Sequence, residues 1–180
     1  MRVSREQVAE NRKTILEAAS RLFRDRGYDA VTVAEVMQAA GLTHGGFYGY
    51  FKSKDDLIAA ALGDVLGRAG GPGDDLAAYI ARYLSQPHRD ARATGCAVSA
   101  LAAETVRLEG EARTEMTAAL RRQIDRVARL SPGATGADKR RAAIATWAAM
   151  VGALILARVS DDPALSDEVL AATRASLAPP

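Results

Sequence analysis

Cysteine is almost absent from this chain: among 180 residues only Cys96 is one. That rules out an intrachain disulfide and a cysteine-based zinc site, and it suits a reducing cytosol. Histidine is nearly as scarce, with His44 and His88 alone. A nucleophilic serine or cysteine needs a base within hydrogen-bond reach, and two histidines offer few. No glycine-rich phosphate loop, HExxH or GxSxG occurs, so no enzyme, cofactor or metal is expected. The opening MRVSREQ lacks an apolar core segment, so no secretory signal is expected and the cytoplasm is the expected location. Runs of β-branched residues are rare, and no Asn-Gly or Asp-Gly pair separates alternating segments. With alanine abundant, the fold class is all-α.

The net charge of +2 is weak evidence for any partner. Its distribution says slightly more. Residues 1–54 hold nine Lys and Arg against six Asp and Glu, a surplus of three. The head is mildly basic and the remainder near neutral. At this length the chain makes one or two small domains with a substantial core.

The stretch from Thr32 to Leu57 carries most of the information. Thr32 and Glu35 form a T-x-x-E capping pattern, each side chain serving the other's backbone amide. Val33, Val36, Met37 and Ala40 recur at helical spacing, and Gly41 suits a left-handed helix end. Leu42 can plug the angle, and Thr43 suits the N-cap of a second helix. On that helix Phe47 and Phe51, four apart, should face the core, leaving His44, Gly45, Tyr48 and Gly49 on other faces. Ser53 with Asp56 repeats the capping pattern and predicts a helix from Lys54 to about Gly67.

Such a pair reads as a helix-turn-helix, whose second helix enters the major groove with its first residues against base edges. The candidate DNA contacts are Thr32, Thr43, His44, Gly45, Tyr48, Tyr50, Lys52 and Lys54. His44 can address a base, and Gly45 and Gly46 permit close backbone approach. Tyr48, Tyr50 and Lys54 suit phosphates, which set register without reading sequence. The spacing is equally compatible with an ordinary αα-hairpin whose tyrosines are half-buried.

The same residues closely resemble the DNA-binding domain of the TetR/AcrR family of one-component repressors. The resemblance rests on Thr32-Val33, Ala40-Gly41-Leu42, Phe47-Tyr48-Gly49-Tyr50-Phe51 and Lys52 to Leu57. Upstream it includes Ile15 to Ala19, Leu22-Phe23 and Gly27-Tyr28. It covers about the first 60 residues; beyond them only an all-helical layout is shared. The glycine-rich Thr43-His44-Gly45-Gly46 departs from the family by offering few base-reading side chains. The resemblance implies a three-helix DNA-binding domain over 1–53 and a helical effector-binding and dimerisation domain over 54–180. It implies a homodimer on a pseudopalindromic double-stranded operator, released by a small-molecule effector. No membrane association is expected.

Downstream, Gly70-Gly71-Pro72-Gly73 reads as a linker. Helices are expected from Asp74 or Asp75 to Leu84, from Cys96 to about Arg107, from Gly110 to about Arg129, and from Asp167 to about Leu177, with a loop from Gln86 to Thr94. The run Ala142–Ala157 is apolar on all sides except at Thr146, too short for the usual span of about 20 residues. A helix apolar all round is buried all round, here between the core and, as the resemblance implies, a second subunit. Trp147, Ala149, Met150, Gly152, Ala153, Val169 and Leu170 are the expected interface, with burial inside one subunit the alternative. Candidate effector-lining residues are Tyr79, Tyr83, Cys96, Val98, Leu101, Met116, Leu120 and Trp147, each otherwise plain core.

Cys96 invites a sharper reading. A helix start and nearby His88, Arg89 and Arg92 would favour its thiolate, giving a sensor of oxidants or electrophiles; the alternative is a small packing residue. A helical adaptor that binds protein through the aromatic cluster is the competing class.

Overall fold

The structure, a computed structural model, describes residues 4–177, and every regular element among them is helical. In chain order these are α1 (Arg5–Arg26), α2 (Val33–Ala39), a 3-10 segment (His44–Gly49), α3 (Lys54–Arg68), α4 (Leu76–Tyr83), α5 (Gln86–Asp90), α6 (Ala97–Thr105), α7 (Glu111–Ala128), α8 (Gly136–Val159) and α9 (Pro163–Leu177).

Most starts are set by side chains that satisfy an otherwise orphaned amide. Ser4, Thr32, Ser53, Asp75, Ser85 and Thr135 each accept from the amide three residues on. Each such cap is worth about 0.5–2 kcal/mol. At Ser4 only half of a capping box forms, because the Gln7 amide side chain donates instead to Asn11 Oδ1 at 2.9 Å. At α2 the box is complete, and the Glu35 carboxylate also takes Arg26 at 2.8 Å. Hydrogen bonds from the Thr32 amide and hydroxyl, then from Arg26, pull Glu35 down to about 2. The folded value lies below the ~4.3 of a free glutamate. These bonds therefore stabilise the head fully above about pH 4.3 and are lost as pH falls towards 2. Glu35→Gln is expected to flatten the acid branch of a circular-dichroism melt series in that window; an unchanged acid branch would show that the contact carries no folding energy.

α2 ends in a Schellman motif. Gly41 has φ 72°, Leu42 N–H donates to Met37 C=O at 2.9 Å and Gly41 N–H to Gln38 C=O at 3.0 Å. A residue with a Cβ is strained there by about 1–2 kcal/mol.

Two hydrophobic cores fill the molecule. The first joins the head to α3, α6 and the first half of α7, from Ile15, Phe23, Met37 and Phe47 to Leu62 and Leu101. The second joins α4, the end of α7, α8 and α9 around Tyr79, Tyr83, Trp147 and Leu154. Cys96 and Val151 touch both. α3 packs on α1 and on α7, so packing runs straight across the Ser53–Lys54 boundary.

Several expectations shift. Gln86–Asp90 is a short helix rather than loop, because Ser85 caps it and Pro87 sits in its first turn. α8 extends beyond the apolar run Ala142–Ala157 and begins at Gly136, where the Thr135–Asp138 capping box starts it. α9 begins at Pro163 rather than Asp167, with Asp162 Oδ1 accepting from the amides of Ala164 and Leu165. By length and composition α8 qualifies to cross a membrane, but here it packs on both α7 and α9.

The interface assignment is corrected for four residues. Trp147, Met150, Ala153 and Leu170 are buried inside their own chain, on the face of α8 or α9 that closes the second core. Ala149, Gly152 and Val169 lie half-buried at its edge. The apolar side chains left open on α8 are instead Ile144, Ile155, Leu156 and Val159, joined by Leu165 on α9. Periodicity marks which residues of an all-apolar helix share a face, not which face meets the core.

Candidate nucleic-acid interface and internal cavity

The second helix of the expected pair is a 3-10 segment of six residues, His44–Gly49. Gly45, Gly46 and Gly49 each disfavour an α-helix by about 1 kcal/mol relative to alanine. Thr43, at the N-cap, makes no side-chain capping bond. The segment is held from beneath instead. Phe47 is 1% exposed and stacks on Phe51 with ring centroids 5.8 Å apart, and Arg12 lies over the Phe51 ring at 4.9 Å.

Above that anchor, Tyr48 is 75% exposed and stands edge-on to Phe47. Thr32, Thr43, His44, Gly45 and Lys52 are also exposed, and Lys54 is half-buried. Two candidates already have local work. The Thr32 hydroxyl serves the capping box. Tyr50 is half-buried, and its oxygen accepts from Asn11 Nδ2 at 2.8 Å. Asn11 in turn accepts from Gln7. Tyr50 keeps its own proton free to donate, while the relay from α1 fixes where its hydroxyl sits. Asn11 was missed from sequence because a lone asparagine within a helix carries no local pattern.

The body holds a cavity of about 690 Å³, open to solvent on one side, at the seam between the two cores. Tyr79, Tyr83, Cys96, Val98 and Trp147 line it as expected. Leu101, Met116 and Leu120 do not; they pack into or against the first core on the other side of α6 and α7. The aromatic wall is ordered: Tyr79 stacks on Trp147 at 6.4 Å, Tyr83 meets it edge-on at 5.3 Å, and Gln123 Nε2 donates to the Tyr79 hydroxyl at 2.8 Å. Sequence reading missed the arginines. Arg21, Arg24, Arg68, Arg82, Arg122 and Arg126 all contribute to the lining. Their pairwise spacings of three and four on α1 and α7 are the available signal, though such charges usually belong to a solvated face.

Cys96 is the N-cap residue of α6, half-buried, without a side-chain capping bond. His88 does not act as its base. The Cys96 amide donates to His88 Nε2 at 3.1 Å, and Nδ1 lies 2.7 Å from Tyr83 C=O. With Nε2 accepting and Nδ1 donating the imidazole is neutral, and burial lowers its pKa against the opposing effect of the Tyr83 carbonyl. Burial and the neighbouring Cys96 thiol push the Tyr83 phenol well above its ordinary range.

α1 is bolted to the body beside this cavity. Arg24 Nη1 donates to Gly95 C=O at 2.8 Å and Arg92 Nη2 to Asp25 C=O at 2.7 Å. The Tyr28 amide donates to Glu104 Oε2 at 2.6 Å, and its hydroxyl meets Thr105 Oγ1 at 3.0 Å. Burial and the Glu104 carboxylate push the Tyr28 phenol up to about 12. Gly27 is required at this joint: its φ is 82°, and a Cβ would lie 2.5 Å from Glu104 Oε1.

Residues 15–61 match the bacterial regulatory proteins of the tetR family. The chain is 34% identical over 83 residues to the HTH-type transcriptional repressor BepR of Brucella suis, an alignment covering 46% of this chain and 38% of that repressor. The chain thus spans well under half of that relative. Over nearly its full length it shares the fold of the reduced form of NemR from E. coli, with TM-score 0.75 and 23% identity, covering 93% of this chain and 95% of that one. It shares the fold also of AibR solved with isovaleryl coenzyme A and operator DNA, with TM-score 0.62 and 19% identity, covering 94% of this chain and 99% of that one.

Proposed function

We propose that this chain, a member of the TetR/AcrR family of transcriptional regulators, is a homodimeric repressor released from its operator when a small molecule fills the 690 Å³ cavity. The observation that carries the reading is the double duty of α1. Asn11 on this helix holds Tyr50 at the recognition segment, while Ser20 and Arg24 on the same helix line the cavity. A ligand that favours one setting of α1 thereby favours one placement of the head. It shifts the population only by its difference in affinity for the two settings. The exposed apolar side chains of α8 and α9 supply the surface for a second copy, and two heads then address half-sites about 34–36 Å apart or somewhat more.

DNA contacts are assigned to the exposed residues of the recognition stretch, with Tyr48 foremost. In fluorescence anisotropy on fragments flanking its own gene, Tyr48→Ala is expected to lose about tenfold or more in affinity with an unchanged thermal melt. Lys54→Ala should weaken all sequences and lower the salt slope by about one. His44→Ala should relax preference at a single base position. Wild-type affinity for the Tyr48 variant would remove the recognition stretch from the interface.

A second reading is favoured by the place of Cys96 in the cavity wall, next to Gly95 whose carbonyl takes Arg24. Here an electrophile entering the cavity alkylates the thiolate, and the adduct does the work of a bound effector. N-ethylmaleimide is then expected to label the native protein and release DNA, and Cys96→Ser to retain DNA and ignore the reagent. A thiol that reacts only after unfolding would leave Cys96 as packing.

A further inference from the structure

The wall of the cavity is rich in hydrogen-bond donors and poor in acceptors. Six arginines contribute to it, and the one carboxylate among the described lining residues, Glu17, already takes Arg68 at 3.3 Å. Arg24 has only the carbonyls of Ser20 and Gly95, and Arg126 has the carbonyl of Ala69. Among the described residues Arg21, Arg82 and Arg122 have no carboxylate within ion-pair distance; Arg82 lies over the Tyr79 ring at 5.5 Å. Burial lowers the Arg24 guanidinium below its ordinary value.

Deeper in the wall the imbalance repeats. Buried polar side-chain atoms without an oxygen or nitrogen partner among the described residues are Ser20 Oγ, Tyr83 OH, which has only the Cys96 thiol beside it, and Trp147 Nε1. All three belong to cavity-lining residues, and these residues are 4%, 6% and 7% exposed. An indole N–H only donates, and both hydroxyls are able to donate. Buried groups left unpaired are uncommon in folded proteins, and here all three belong to residues of this one wall. The Tyr79, Tyr83 and Trp147 rings supply an apolar face beside them.

We propose that the cavity takes an amphipathic organic anion, its apolar, oxygen-bearing body against Tyr79, Tyr83 and Trp147 and its anionic group among the arginines. This deepens the regulator reading above and rests on it for the consequence that binding releases DNA. A cationic ligand is disfavoured by the same arginines. The anionic group is a carboxylate or a phosphate, both of which match the planar fork of a guanidinium.

The test uses a matched pair of fluorescent probes, 8-anilino-1-naphthalenesulfonate and N-phenyl-1-naphthylamine, which differ by the sulfonate. The anion is expected to bind the full-length protein once per protomer, at least about tenfold more tightly than the neutral amine, with an affinity that falls as salt rises. Arg82→Gln with Arg122→Gln, both exposed positions, should weaken the anion about tenfold and leave the amine and the thermal melt unchanged. Displacement by 2-naphthoate or by 2-naphthyl phosphate tells which anionic group fits better. Equal affinity for the two probes, an anion indifferent to both arginines, or displacement by ethidium at lower concentration than by either anion would overturn the proposal. DNA retention is measured separately by anisotropy. Anion binding without operator binding removes the regulator reading alone; operator binding without anion preference removes this inference alone.

Discussion

Ile155→Glu is expected to give a folded monomer that has lost at least about a hundredfold in operator affinity. Ile155 lies on the open face of α8 with Ile144, Leu156 and Val159, so the glutamate faces water in a single chain and costs it little. In the proposed dimer the same glutamate is desolvated near its symmetry copy, at several kcal/mol for each charge. Operator binding fails in turn, because a pair of linked heads gains far more than one from effective concentration. Sedimentation at micromolar concentration checks the first step and anisotropy the second. A wild-type monomer would refute the interface, as would a variant that remains dimeric. Leu156→Glu on the same face should behave alike, whereas a charge at Met150, fully buried within the chain, should prevent folding.

Phe47→Ala is expected to abolish DNA binding for a different reason. The recognition segment has too many glycines and too few caps to hold its shape alone. Its shape comes from Phe47, buried in the first core together with Met37 and stacked on Phe51. Removing a buried phenylalanine costs about 3–5 kcal/mol, comparable with the whole stability of a small head. Circular dichroism should show an early transition lost or lowered, and anisotropy should show no retention of any sequence. Tyr48→Ala, one residue on but outside the core, separates the two effects: it removes DNA contact without the melt. Equal melts for the Phe47 variant and wild type would mean that the segment holds itself.

Much of this was legible in the chain. Helix starts were written in Thr32, Ser53 and Asp75, the turn in Gly41, and the core face of the head in the four-residue spacing of Phe47 and Phe51. These features act within one or two helical turns, so sequence proximity and spatial proximity coincide. The glycine content of Thr43–Gly46 also warned of a weak helix, and a 3-10 segment is what formed.

What only the tertiary structure decided depends on which helix lies opposite which. α8 is apolar all round, so its pattern was silent about which side meets α7 and α9. Trp147 and Met150 therefore turned inward where an interface was expected, and Ile155 and Val159 turned out. The cavity was equally unreadable. Its arginines come from α1, α3, α4 and α7, scattered over more than a hundred positions, and each looks like an ordinary solvated charge on its own helix. Their common meaning arises when packing brings them to one seam without enough carboxylates to match. Local side-chain chemistry could determine the helices and the turn, but the charge and hydrogen-bond balance of a cavity is a property of the assembled walls.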